Sequence, residues 1–214
     1  MMEFLALPLR THLVRPGEDL GRLLLTYAGR IVRPGDVVCL AETAVAIAQG
    51  RVFRSERVRP RILARFLSRF PGKDGSLATP QAMELALRER GSFRILMGCA
   101  AALCGRMLGR RGDFFRVAGR DLAQIDDIGG QLEPFDRCIV LGPARPRELV
   151  RELKERTGME VAICDANDLG RVDILASTAP YPPEELARAL RSNPQGNEEE
   201  MTPLVILRPA VAGA

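Results

Sequence analysis

Short apolar runs and helix-spaced apolar stripes take turns along the 214 residues, the pattern of a mixed α/β protein. Phe4–Leu7 is predicted to be a short strand running into Pro8. Gly17-Glu18-Asp19 opens a helix whose apolar positions, Leu20, Leu23, Leu24 and Tyr27, share one face. Arg33-Pro34-Gly35-Asp36 is a turn. A buried strand is predicted over Val37–Ala41, then a polar, small-residue segment, Glu42–Arg51. Pro60 is placed to start a helix that carries Ile62, Leu63, Phe66 and Leu67 inward. Pro71–Ser76 is expected as a surface loop, and Thr79-Pro80 as the cap and first turn of a helix reaching Arg90. The spacing then predicts a strand over Arg94–Met97, a small-residue helix over Gly98–Leu108, and strands over Phe114–Val117 and Cys138–Leu141. Pro146–Thr157 is an amphipathic helix ended by Gly158. Glu160–Cys164 is expected as a strand, Pro183–Arg191 as a helix, Ser192–Glu200 as an acidic loop and Leu204–Leu207 as the last strand. Residues 1–209 are expected to form one domain, with 210–214 a frayed tail.

Composition narrows the setting. No apolar run approaches the roughly 18 residues of a membrane helix, and the N-terminal MMEFLALPLRTH lacks a signal peptide's layout. Five cysteines without paired C-x-x-C spacing fit reduced thiols. The expectation is a cytoplasmic globule with no membrane partner. The net charge of +4 divides unevenly: residues 1–111 carry 19 basic and 9 acidic side chains, residues 112–214 carry 12 and 18. Such asymmetry suits an anion-binding face opposite a carboxylate-rich one, or halves that attract each other; solvated surfaces of uneven sign are the plainer alternative. Nucleic acid is not an expected partner, because stacking platforms need aromatics and the chain has no tryptophan and two tyrosines.

One histidine, His12, excludes multi-histidine zinc sites. No G-x-x-x-x-G-K-[ST] phosphate loop and no strand followed by G-x-G-x-x-G occurs. A metal would be held by carboxylates and amides, which points to a hard ion, Mg²⁺ or Mn²⁺. Two segments after predicted strands offer such groups: Ala118-Gly119-Arg120-Asp121-Leu122-Ala123-Gln124 and Asp165-Ala166-Asn167-Asp168-Leu169-Gly170-Arg171. Loops at strand ends are common ligand sites in α/β proteins, and Arg120 and Arg171 suit phosphate or carboxylate oxygens. Asp165, Asn167 and Asp168 equally suit an Asx-turn and helix cap. The small residues of Glu42–Arg51 would let backbone amides approach an anion, or pack as a tight helix.

Taken together these segments resemble the γ-glutamyl ligase family that elongates the deazaflavin coenzyme F420. The motifs are Gly17-Glu18-Asp19-Leu20, Gly35-Asp36-Val37, Ala48-Gln49-Gly50-Arg51, Ala118-Gly119-Arg120-Asp121 and Asp165-Ala166-Asn167-Asp168-Leu169-Gly170-Arg171, in family order. The resemblance implies a mixed α/β fold in an intertwined homodimer. It also implies a GTP-dependent ligase in which a phosphorylated carboxylate is attacked by the amine of L-glutamate. By that resemblance Asp121 and Asp165 hold Mg²⁺ or Mn²⁺, Glu42, Thr43 and Gln124 lie near the nucleotide, and Arg51 and Arg171 meet phosphate or an acidic substrate. No catalytic residue is assigned. The family's Ser-Lys pair is replaced by Ala46 and Ile47, and its D-x-N-G-R element is interrupted by Asp168-Leu169. These departures frame the alternative, a non-catalytic nucleotide- or anion-binding relative with a regulatory or structural role. A structural dimerisation protein, using the small residues of Gly98–Leu108, is a third class.

Overall fold

The computed structural model describes residues 2–71, 76–110, 112–125, 133–167, 169–196 and 200–210. The middle of the expected 71–76 loop, Asp168, the end of the acidic loop, the tail and the Arg120 side chain lie outside the described residues. These form two compact units: Met1–Arg51 with Pro143–Ala214, and Val52–Gly142.

The first unit is built on a five-stranded sheet. Its strands are β1 (Phe4–Leu9), β2 (Val37–Ala41), β5 (Glu160–Ala166), β6 (Val172–Ser177) and β7 (Leu204–Pro209), in the order β1-β7-β2-β5-β6. Among the neighbouring pairs of the described strands in this sheet, β2 and β5 are parallel and the others antiparallel, with Val37 opposite Glu160 and Ala41 opposite Cys164. Both are near-continuous apolar runs because both of their faces are covered. On one face Cys39, Ala162, Cys164, Val205 and Leu207 pack with Leu186 and Leu190 of α8 (Pro183–Ala189) and its end. α7 (Pro146–Thr157) packs along β5, and α1 (Leu20–Tyr27) packs on α7. The Asp19 carboxylate caps α1 through Gly21 and Arg22 N–H and receives Arg156 from α7, so one side chain fixes where the helix begins and what it packs on. α2 (Glu42–Ala48) follows β2 directly; Val45, Ala46, Ile47 and Ala48 are buried, so this segment is a packed helix.

The second unit holds a two-stranded ladder, β3 (Val52–Arg54) with β4 (Cys138–Val140), and the helices α3 (Ile62–Leu67), α4 (Pro80–Arg90), α5 (Ser92–Met107) and α6 (Asp113–Ala118). Its core is Met83, Leu87, Ile95, Leu122 and Ile139 with their neighbours.

Several expectations are corrected. The predicted Arg94–Met97 strand and the following helix are one helix, α5, because Leu, Met and Ala favour it and Gly91, at φ +79°, already supplies the break from α4. Phe114–Val117 is the body of α6, bounded by Gly112 and Gly119. Ile62 and Phe66 face outward, and Ala64 and Leu67 face inward. The Arg61 N–H and guanidinium both bond Glu84, which sets this register for α3. Strand β5 continues through Asp165, and β6, which apolar runs did not flag, turns back beside it. No helix among the described residues is long and apolar enough to cross a membrane.

Candidate functional site

At the carboxyl end of the parallel pair, Ala41 stands opposite Cys164, so Glu42 and Thr43 leave β2 at the level where Asp165 stands on β5. Thus Glu42, Thr43 and Asp165 come together at one sheet end through register alone, the usual ligand-binding end of such strands. Glu42 is buried, Thr43 half-buried and Asp165 exposed. Asp165 also lies directly opposite Asp173 of β6. Two carboxylates facing each other across antiparallel strands repel, and a hard cation relieves that repulsion with oxygen ligands. Asp173 was not singled out from sequence; the signal is its place eight residues after Asp165, across a turn that only becomes evident once β6 is known to be a strand.

The turn itself is built by Asn167. Its Oδ1 accepts from the N–H of Leu169 and Arg171, and its own N–H donates to the Arg171 carbonyl. The Asx-turn reading therefore describes Asn167, but it closes a hairpin and caps no helix. Arg171 is exposed at the base of this turn, at the same end of the sheet. Arg51 follows Gly50, the positive-φ residue that ends the α2 segment, and its N–H bonds the Ala46 carbonyl.

In the second unit, Asp121 follows Gly119, and Arg90 at the end of α4 grips it. Arg90 Nε donates to Oδ2 at 3.1 Å while its terminal nitrogen pairs with Oδ1. The hydrogen bond to Asp121 holds the Arg90 guanidinium still more firmly protonated. A Cβ on Gly119 would stand 2.8 Å from Asp121 Oδ1 and 3.2 Å from Arg90 Nε, so this glycine makes room for the pair. The Gln124 side chain lies against Gly142, where a Cβ would come within 3.0 Å of its Oε1.

These placements decide how a divalent ion fits. Asp165 with Asp173 offers the oxygen donors a hard ion takes. Asp121 is paired with Arg90 through both of its oxygens, which leaves it fewer lone pairs to offer a cation. No cluster of three or more metal-ligating side chains occurs among the described residues. His12 bonds Glu18 at 2.5 Å and the Tyr27 hydroxyl at 2.7 Å, an arrangement that serves the start of α1.

Comparison with known families is decisive for ancestry. The model of the F420-0:gamma-glutamyl ligase family matches residues 8–193. The chain belongs to this family. A coenzyme F420:L-glutamate ligase of Methanopyrus kandleri is 30% identical over 164 residues, which are 74% of this chain and 56% of that relative. The coenzyme F420:L-glutamate ligase of Methanothermobacter thermautotrophicus is 29% identical over 162 residues, 74% of this chain and 59% of the relative. The chain thus spans less than two thirds of the length of these ligases. The family match runs through both units, from the strand-end residues Glu42, Thr43 and Asp165 to Asp121 and Gln124.

Proposed function

We propose that this chain is an amide-forming ligase that joins L-glutamate to a carboxylate activated by phosphoryl transfer from GTP. The family match over residues 8–193 carries the reading, and the grouping of Glu42, Thr43 and Asp165 at one sheet end supports it. In this reading Glu42 and Thr43 lie beside the nucleotide, and Arg171 and Arg51 neutralise phosphate or the acidic acceptor. Asp165 and Asp173 hold a Mg²⁺ or Mn²⁺ ion, which when bound offsets the negative charge spread over phosphoryl oxygens. Asp121 and Gln124 belong to the second unit and are assigned to metal and nucleotide through the family resemblance; Asp121 becomes available to a cation once Arg90 lets go. The ligase is proposed to work in the cytoplasm as a homodimer.

A second reading, a nucleotide- or anion-binding relative without catalysis, draws on two observations. Ile47 stands buried where the family carries lysine, and Arg90 neutralises Asp121. The two readings part in one experiment. Thermal stabilisation by Mn²⁺ with GTP is measured first, then glutamate-dependent mass gain of a lactyl-phosphodiester deazaflavin acceptor. The ligase reading expects both. Binding without mass gain favours the second reading, and no metal-dependent nucleotide binding sinks the ligase reading. Asp165→Asn is expected to abolish the metal-dependent shift, and Asp121→Asn, tested separately, to weaken it.

A further inference from the structure

In the second unit, α3 and α4 border a cleft of about 760 Å³, a size typical of small-molecule sites. Pro60, Pro71, Ala78 and Pro80 give it apolar walls, and Arg65, Ser68, Arg69 and Gln81 supply its polar groups. Its charge follows from which arginines of the helix pair are already engaged. Arg61 and Arg88 converge on the buried carboxylate of Glu84, their Nε atoms 3.0 and 2.9 Å from its Oε1. Arg65 lies one turn after Arg61, and Arg69 one turn further. Both line the cleft, both are exposed, and neither meets a carboxylate among the described residues. Two guanidinium groups therefore share one cleft without counter-charge.

The backbone around the cleft keeps it positive. Carbonyls at the end of α3 that would repel an anion are taken up. Those of Ala64, Phe66 and Leu67 accept the N–H groups of Ser68, Arg69 and Phe70, and that of Arg65 accepts the Ser68 hydroxyl at 3.3 Å. At the start of α4, Thr79 accepts the Ala82 N–H, Pro80 has none to give, and the Gln81 N–H has no partner among the described residues. No acidic side chain stands in that first turn, so the positive end of this eleven-residue helix adds to the two guanidiniums. We propose that the cleft between α3 and α4 binds a soluble phosphate monoester with a compact apolar body, Arg65 and Arg69 holding the phosphate oxygens and Gln81 donating to them. A phosphate monoester carries close to two negative charges at neutral pH, which matches two cations, and guanidinium forks pair with its oxygens bidentately. A monocarboxylate would leave one arginine unmatched. The proline and alanine walls receive the apolar body. No residue of the strand-end site takes part, so the proposal does not rest on the ligase reading.

Titration calorimetry on the whole 214-residue chain, at neutral pH and constant ionic strength, tests this with phenyl phosphate as the probe and benzoate and orthophosphate as comparisons. Phenyl phosphate is expected to bind about tenfold more tightly than benzoate. Arg65→Gln and Arg69→Gln are each expected to weaken it about tenfold, with an unchanged far-ultraviolet spectrum because both side chains are exposed. Ala78→Leu narrows the cleft without altering charge, and is expected to weaken phenyl phosphate more than orthophosphate. Asp165→Asn and Arg171→Gln are expected to leave the binding as it is, which separates the cleft from the strand-end site. No binding of phenyl phosphate at millimolar concentration overturns the proposal. Binding that survives both arginine substitutions, or that is lost in Asp165→Asn or Arg171→Gln, overturns it as well. Equal affinity for benzoate overturns the assignment to phosphate.

Discussion

Asp36 shows how much one buried carboxylate holds in the first unit. It accepts the Arg33 N–H at 2.9 Å and the Arg208 guanidinium at 2.7–3.2 Å, and that guanidinium also reaches the Ile31 carbonyl. Burial pushes its carboxyl up, but Arg208 and the Arg33 N–H outweigh burial and leave it below the ordinary carboxylate range. A carboxyl lowered by folding stabilises the protein above its unfolded pKa of about 3.9, and that stabilisation is lost as pH falls through the folded value. Asp36→Asn is therefore expected to cost about 2 kcal/mol near neutral pH. The difference in melting temperature from the wild type should shrink as pH falls through the lowered folded value, as thermal melts in acid will show. Asp173 offers a test of the strand-end pair. In chelator, Asp173→Asn removes a like-charge repulsion with Asp165 and should raise the melting temperature by about 1–3 °C. The same variant should lose part of any stabilisation by Mn²⁺, so the two melts report on one carboxylate pair from both sides.

At the scale of elements, α5 and α6 depend on two glycines with different tolerances. Beyond Gly98 lie Ala118 Cβ and the Phe114 carbonyl, neither of which can rotate away; beyond Gly105 lies the end of the Asp113 side chain, which can. Gly98→Ala is expected to destabilise the second unit by about 1–3 kcal/mol, and Gly105→Ala by less, measured by chemical denaturation. This helix pair also marks where the sequence could be read and where it could not. Caps and periodic stripes told true for α1, α4 and α7, where Asp19, Thr79-Pro80 and Gly158 fix the ends locally. The apolar runs Arg94–Met97 and Phe114–Val117 fit strand or helix equally, and the packing of Gly98 on Ala118 decides between them. The outward turn of Ile62 and Phe66 follows from Glu84, 23 residues away from Arg61, which no local pattern reports. Of the strand-end group, Glu42, Thr43 and Asp165 were legible as motif residues, while Asp173 needed the cross-strand register. The grip of Arg90 on Asp121 spans 31 residues and was likewise invisible.

Across the whole molecule, the second unit is an insertion between the two halves of the first. Its ends are side by side, since Val52 pairs with Val140 in the β3–β4 ladder. On the first unit's side of the junction, the Gln49 amide bonds both the N–H and the carbonyl of Ala144, at 2.7 and 2.9 Å. The five-stranded sheet and the cluster packed under α8 are drawn wholly from residues of the first unit. Replacing Val52–Gly142 by a short Gly-Ser linker is therefore expected to leave a soluble, cooperatively melting protein, checked by circular dichroism and amide exchange in β2 and β5. The side-by-side ends have a thermodynamic consequence. While the insertion is folded, it joins the end of α2 to the start of α7 as cheaply as a turn of a few residues. Once it unfolds, the same two segments are held by a free tether of some ninety residues. Closing that longer loop costs roughly 3 kcal/mol more. Glu42 and Asp165 sit on opposite sides of this tether, so ligand bound between them and any contact that keeps the insertion folded would each strengthen the other through chain entropy alone.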